Sequence, residues 1–419
     1  MLLGEQPSAL DLAALFTRLS APNAAALTTA ARAGQLAALL QGVTSQSEFL
    51  SAQSDEDYTT ALTLAFAVMA QLASAAEATA ATTALASLLT ADPASRAALK
   101  IRTLTNLINV LGNSNTVSAS QRFTVLMQMM EFALAAGAAT AALVLQPLTS
   151  LQAQIRAWKL SPADATALLL VSFKLSLKVG PAGVQSKSLK SKGDDFATPA
   201  AAPTFYNLGA QPTLQHEYLY AVLKSLDAAA PATLKEKQYQ DLALTAVVAS
   251  VSNGLAATLH ILDPVNVWQL AVVQTMSASN NVQAAAAFQL LRILVDADLP
   301  AWVAFEKGAG AALLKENAAT LDAATLLRKI RTLALCSLAV SSQSASAGDN
   351  LLTYSQIQSK LQLAPKDPEA VEAAVIDAVM AGRIDAMMDQ EAETIIVKSV
   401  DKGGGKHGRR GERCCAVLG

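Results

Sequence analysis

Residue types that could do chemistry are sparse in this chain of 419 residues. Its three histidines, His216, His260 and His407, stand far apart, and none has a second His, a Cys or a paired carboxylate at ligand spacing. Neither an HExxH pair, which places two imidazoles on one helix face, nor an HxH zinc-hydrolase site can be built from them. His260 lies between Leu259 and Ile261, where packing accounts for it better than ligation. Gly403, Gly404, Gly405 and Lys406 superficially resemble a phosphate loop, but the spacing GxxxxGK[ST] is not met and no strand and helix flank them. No GxSxG nucleophile elbow occurs. Cys336, inside an apolar helical run, reads as a small core residue. The adjacent Cys414 and Cys415 open a run resembling a prenylation box, but Gly419 follows that run, and the box must be terminal. The residues therefore point to no catalytic, metal or cofactor site and to no small-molecule substrate.

The elements that would position such residues are helices. The chain is 52% hydrophobic, 15% charged and 5% aromatic, with 31 basic and 33 acidic side chains. That composition excludes a disordered chain, which needs low hydrophobicity and high net charge. Three long uncharged windows, residues 132–155, 242–262 and 264–291, raise the membrane question. Each is interrupted: by Gln146 and Pro147, by Ser250, Ser252, Asn253 and Gly254, and by Asn280 and Asn281. Buried helix pairs explain them better than spanning helices. Residues 1–20 carry Glu5 and Asp11 without a basic leader, so no secretory signal is visible and a cytoplasmic protein is expected.

From residue 8 to 178, helices of one to two dozen residues are expected, with breaks at Pro22, Pro93, Gly112 and Pro162. Ser161, Pro162 and Asp164 form a helix start: a capping hydroxyl, a proline at the first helical position and an acid favoured by the dipole. Short loops between such helices imply antiparallel neighbours stacked in series. No strict repeat in residue identity is found, so this reading rests on rhythm. Residues 179–215 hold four glycines and four prolines with Lys187, Lys190 and Lys192, and read as a linker or surface loop. Helices resume over 216–348, where Leu327, Ile330, Ala334 and Leu338 form one face while Arg328, Lys329 and Arg331 cover its entry.

Residues 349–401 change character. Thr353 and Gln356 form a capping box ahead of Ile357 and Leu361. Asp367 and Pro368 start a second helix whose apolar stripe is Val371, Ala374, Val375, Ala378 and Val379, with Gly382 as its left-handed cap. Alternation then predicts a strand over Arg383, Ile384, Asp385, Ala386, Met387 and Met388. A polar turn leads to a second strand, Thr394, Ile395, Ile396 and Val397. Two helices and a two-stranded hairpin make a winged helix. It carries ten acidic side chains against four basic, a net charge of −6. Phosphate contacts dominate nucleic-acid affinity, so protein contact suits this module better than duplex binding. The ten hairpin residues are the candidate interface, because strand edges bind through backbone groups. Residues 402–419 read as a flexible basic tail. Its Arg409, Arg410 and Arg413, with Lys187, Lys190 and Lys192, are the candidate RNA contacts, weighed against a solvated loop and tail.

The run from Thr353 to Ile357, the helix containing Val371, Val375 and Val379, and the strands with Ile384 and Ile395 resemble the winged helix of PCI proteins, the helical subunits of the proteasome lid, the COP9 signalosome and translation initiation factor 3. Upstream, Lys100, Ile101, Arg102, Leu104, Asn106 and Leu107, then Arg122 to Val125, Ile155, Arg156 and Trp158, Pro264 and Val265, Leu290 and Leu291, and Lys329 to Arg331 look like the M-subunit branch of initiation factor 3. The resemblance runs from about residue 95 to 400. It implies an all-α chain, a right-handed helical-repeat solenoid of PCI type ending in a winged helix with a β-hairpin wing. It further implies a non-catalytic scaffold subunit whose partners are other PCI and MPN subunits and, through the complex, the small ribosomal subunit. The COP9 signalosome, the proteasome lid and a nucleic-acid-binding regulator are the alternatives.

Overall fold

A computed structural model describes residues 8–93, 95–113, 117–183, 214–252, 262–279, 281–317, 321–345, 351–364 and 367–400. The chain divides into two compact units, residues 1–192 and 193–419.

Among the described residues the first unit holds eleven α-helices, α1 to α11 in chain order. The expected breaks at Pro22 and Pro93 fall between helices and Pro162 opens one, while Gly112 is the second-to-last residue of a helix that ends at Asn113. Helix α5 (Asp55–Met69) starts where the Ser54 hydroxyl accepts from the Asp57 amide, with Asp55, Glu56 and Asp57 in the first turn. That places an oxygen on an orphan donor and negative charge at the positive end of the dipole. α5 packs on α7 (Ala97–Asn113), α6 (Ala75–Thr90) packs on α8 (Ala119–Ala136), and α7 packs on α8. Helices thus meet both their successor and the one after, as in a stacked array. Alanines suit this close approach: Ala61, Ala65 and Ala86 are fully buried, as are Leu62, Leu85 and Leu89 of the same helices. The start expected at Ser161 is present, its hydroxyl accepting from the Asp164 amide at 3.1 Å ahead of α11 (Pro162–Gly183). That helix occupies the first five residues expected to be loop. The window 132–155 is shared between the end of α8, α9 (Ala138–Val144) and α10 (Leu148–Ala157). Among the described residues no helix is long and apolar enough to cross a membrane.

Among the described residues the second unit contains α12 (Leu214–Ser225) to α22 (Pro368–Met380) and three strands. α14 (Lys237–Ser252) packs on α17 (Val282–Asp296), and α17 on α19 (Gly310–Glu316) and α20 (Ala323–Ala345). Trp302 and Phe305 of α18 (Leu299–Lys307) are each 1% exposed, and a Cβ at Gly310 would overlap the Phe305 ring, so only glycine lets α19 approach α18 this closely. Three readings of α20 need correction, the first being that Leu327 and Leu338, expected on its inward face with Ile330 and Ala334, are only half-buried. Lys329 is buried rather than covering a surface, because the carbonyls at the end of α14 receive its ammonium. Cys336 is half-buried rather than core, since the face packed inward is carried by Leu326, Ile330, Ala334 and Leu335.

Strands β1 (Leu351–Thr353), β2 (Ile384–Asp389) and β3 (Thr394–Val400) form one antiparallel sheet in the order β1-β3-β2. The wing is therefore three-stranded, not a simple hairpin. The segment before the Thr353 cap pairs with β3, and the Tyr354 amide donates to the Glu393 carbonyl at 3.0 Å. The capping box is present: the Gln356 amide donates to Thr353 Oγ1 at 3.3 Å and the Thr353 amide to Gln356 Oε1 at 3.0 Å, ahead of α21 (Tyr354–Leu361). α22 closes as read, with Gly382 at φ +68° and the Arg383 amide bonded to the Ala378 carbonyl.

Candidate assembly surface

The period of two divides the sheet residues between two faces. Leu352, Ile384, Ile395 and Val397 are at most 5% exposed and cover α20 and α22. On the other face Leu351 pairs with Ile396, and Ile396 with Met387. These three side chains lie in one row across all three strands and are 46%, 45% and 55% exposed. Two interstrand steps make the row about 10 Å long. Asp385 and Asp389 stand on either side of Met387 on the same strand face.

Backbone availability follows from the strand order. β3 is central, so Thr394, Ile395 and Ile396 are paired on both sides and offer no edge. β1 and β2 are each paired on one side only among the described residues, and β2, the longer of the two, is an edge that another strand could extend. Of the ten hairpin residues, Asp385, Met387, Met388 and Ile396 present side chains to solvent, while Ile384, Ile395 and Val397 close the core. Ala386 and Thr394 are half-buried, and Arg383 precedes the strand, half-buried in the turn after α22. Register slips by one residue between Asp385 and Ala386, leaving Lys398 as the extra residue of a bulge.

α22 supplies a second exposed apolar group. Val371, Val375 and Ala378 are buried as the stripe requires, but Val379 is 39% exposed and belongs with Ile376 at 47% and Met380 at 69%. The expected stripe was too wide by one position, because the helix packs on α20 and β2 along a narrow seam. No basic residue occurs in this helix. Acidic groups gather at the wing turn: Tyr354 Oη donates to Glu372 Oε1 at 3.3 Å, and Gln390 Nε2 to Glu372 Oε2 at 2.9 Å. Burial, then the Glu372 carboxylate, raises the Tyr354 phenol above its ordinary range, so it stays a neutral donor. A groove of about 830 Å³ runs between the α17 to α18 corner and α21, lined by Asp296, Asp298, Ser355, Ser359 and Lys360. It is broad and open, and Ala297, Leu299, Pro300 and Leu338 share its lining with these polar groups.

Several sequence readings are not placed by the structure. Lys187, Lys190, Lys192, Arg409, Arg410 and Arg413, together with His260, His407, Cys414, Cys415 and the tail 402–419, lie outside the described residues. His216 is half-buried on α12. Among the described residues no three His, Cys, Asp or Glu side chains are placed to hold a metal ion. Leu351 and the exposed apolar group of α22 were missed. The signal for Leu351 was the Leu351-Leu352 pair directly before a cap, too short to read as a strand alone.

Residues 315–399 match the PCI domain family, a span that starts at the end of α19 and ends in β3. Over 362 residues the chain is 22% identical to eukaryotic translation initiation factor 3 subunit M of Pyricularia oryzae (strain 70-15), covering 86% of this chain and 72% of that protein. That similarity extends well beyond the PCI segment into the helical array of the first unit. Residues 315–399 are accordingly a PCI-domain match, and the chain as a whole resembles subunit M of eukaryotic translation initiation factor 3.

Proposed function

We propose that the chain is a non-catalytic scaffold subunit of a cytoplasmic initiation factor 3 complex, joined to other PCI and MPN subunits through its winged helix. Through that complex it supports preinitiation-complex assembly on the small ribosomal subunit. The observation that carries this reading is the free β2 edge beside the exposed row Leu351, Ile396 and Met387. An edge strand offers directional backbone bonds and the row offers apolar area, the combination a sheet-extending partner uses. Similarity to subunit M across both units supports the choice of complex. A duplex-binding role fits less well, because the exposed face of α22 carries Glu369, Glu372, Ile376 and Met380 and no base. Mass spectrometry of the native complex tests the assignment. Initiation factor 3 subunits in stoichiometric amounts are expected; signalosome or proteasome-lid subunits in their place would reassign the chain to a sister complex.

A further inference from the structure

The sequence KIRTL occurs twice, at residues 100–104 of α7 and residues 329–333 of α20. Both lysines are 6% exposed, among the few charged residues buried in the described chain. Each ammonium meets two successive carbonyls, in the last turn of a helix for Lys329 and in the two residues that follow a helix for Lys100. Lys100 Nζ donates to the Ala91 and Asp92 carbonyls at 2.6 and 2.9 Å, just past the end of α6, and to Ser95 Oγ at 3.2 Å. Lys329 Nζ donates to the Ser250 and Val251 carbonyls at 3.2 and 3.1 Å, in the last turn of α14.

The rest of the pentapeptide repeats the same roles. Ile101 and Ile330 are 4% and 0% exposed, and Thr103 and Thr332 are 3% and 2% exposed. Each threonine hydroxyl donates to the carbonyl four residues back, Leu99 at 2.9 Å and Arg328 at 3.0 Å. A helix end leaves its last carbonyls without partners and carries the negative end of the dipole, so a buried ammonium there is held by charge and by hydrogen bonds together. The copies differ at the preceding position. In the first it is Leu99; in the second it is Arg328, whose guanidinium grips both oxygens of Asp377 on α22.

We propose that KIRTL is a helix-end clamp used once in each unit, and that Arg328 makes the second copy two-sided, so that adjacent residues of α20 hold α14 on one hand and α22 of the winged helix on the other. The winged helix is thereby fixed against the helical array of its own unit. This proposal stands on the contacts within the chain and is independent of which complex the chain joins.

Hydrogen–deuterium exchange on the full-length protein tests it. Lys329→Met removes the donors and leaves the apolar stem; amides 247–252 are expected to exchange about ten- to a hundredfold faster, the loss of a charge-assisted hydrogen bond. Lys100→Met is expected to do the same at residues 86–92. Arg328→Leu, which installs the residue of the first copy on an exposed position, is expected to speed exchange in α22 about two- to fivefold and to leave the end of α14 unchanged. Acceleration spread evenly over the unit in Lys329→Met would reduce the lysine to an ordinary buried residue. Unchanged exchange in α22 of Arg328→Leu would remove the second side of the clamp.

Discussion

Lys329 brings a charge into the packed interior of α20, and burial lowers its ammonium to about 8 from the ordinary 10.5. Asp263, the cap of α15 (Pro264–Trp268), favours the charged form, and Arg383 after α22 opposes it. An unfolded chain holds the proton up to its ordinary value, so between about pH 8 and 10.5 the unfolded state binds more protons than the folded one. Stability from this group therefore rises with pH across that window, by about 3 kcal/mol at most, and is at its low plateau below pH 8. Urea unfolding at intervals from pH 7 to 10 should show the wild type gaining on Lys329→Met over that range. Parallel curves would mean that Lys329 titrates at its ordinary value in the folded chain. The sequence alone placed this lysine on a surface, because Arg328, Lys329 and Arg331 look alike on a helical wheel. Only the arrival of the α14 carbonyls distinguishes them, and the Val251 carbonyl is 78 residues away along the chain. The pentapeptide repeat is too short to register as a repeat in residue identity, and only the buried contacts of its two lysines single it out.

At the level of elements, the local signals were legible and the tertiary ones were not. The Ser161 and Thr353 caps, the Gly382 turn and the helix breaks at proline all occur where the residues place them, since each depends on interactions within five positions of chain. The sheet order depends on a partner at long range. β1 is three residues long, so no alternation marks it, yet its pairing turns β3 from an outer strand into the central one. Proline at Ile396, which an outer-strand reading would recommend as a test of docking, would instead break the protein's own sheet. The α18 to α19 corner gives a cleaner test of packing. Gly310→Ala drives a methyl into Phe305, and thermal denaturation should show a loss of about 1 to 3 kcal/mol. No loss would mean that α18 and α19 are not as close as their shared glycine requires.

Across the whole molecule, the low charge and the abundance of alanine have one cause. Small side chains let helices of each unit stack closely, and their high helix propensity is retained. Charge is unevenly placed: the net −2 of the chain hides a winged helix at −6. That acidic module is also where the exposed apolar side chains gather, at Leu351, Ile376, Val379, Met380, Met387 and Ile396. A surface of this kind is unfavourable in water and suits a subunit whose partners cover it. The most direct test is Met387→Lys, which puts a hydrated charge in the middle of the exposed row without touching the buried face of the sheet. Recovery of partner subunits with the tagged chain should fall at least about fivefold, the loss of one buried apolar contact in an interface, while the melting temperature of the isolated chain is unchanged. Undiminished recovery of the full complex with the lysine variant would contradict assembly through this sheet.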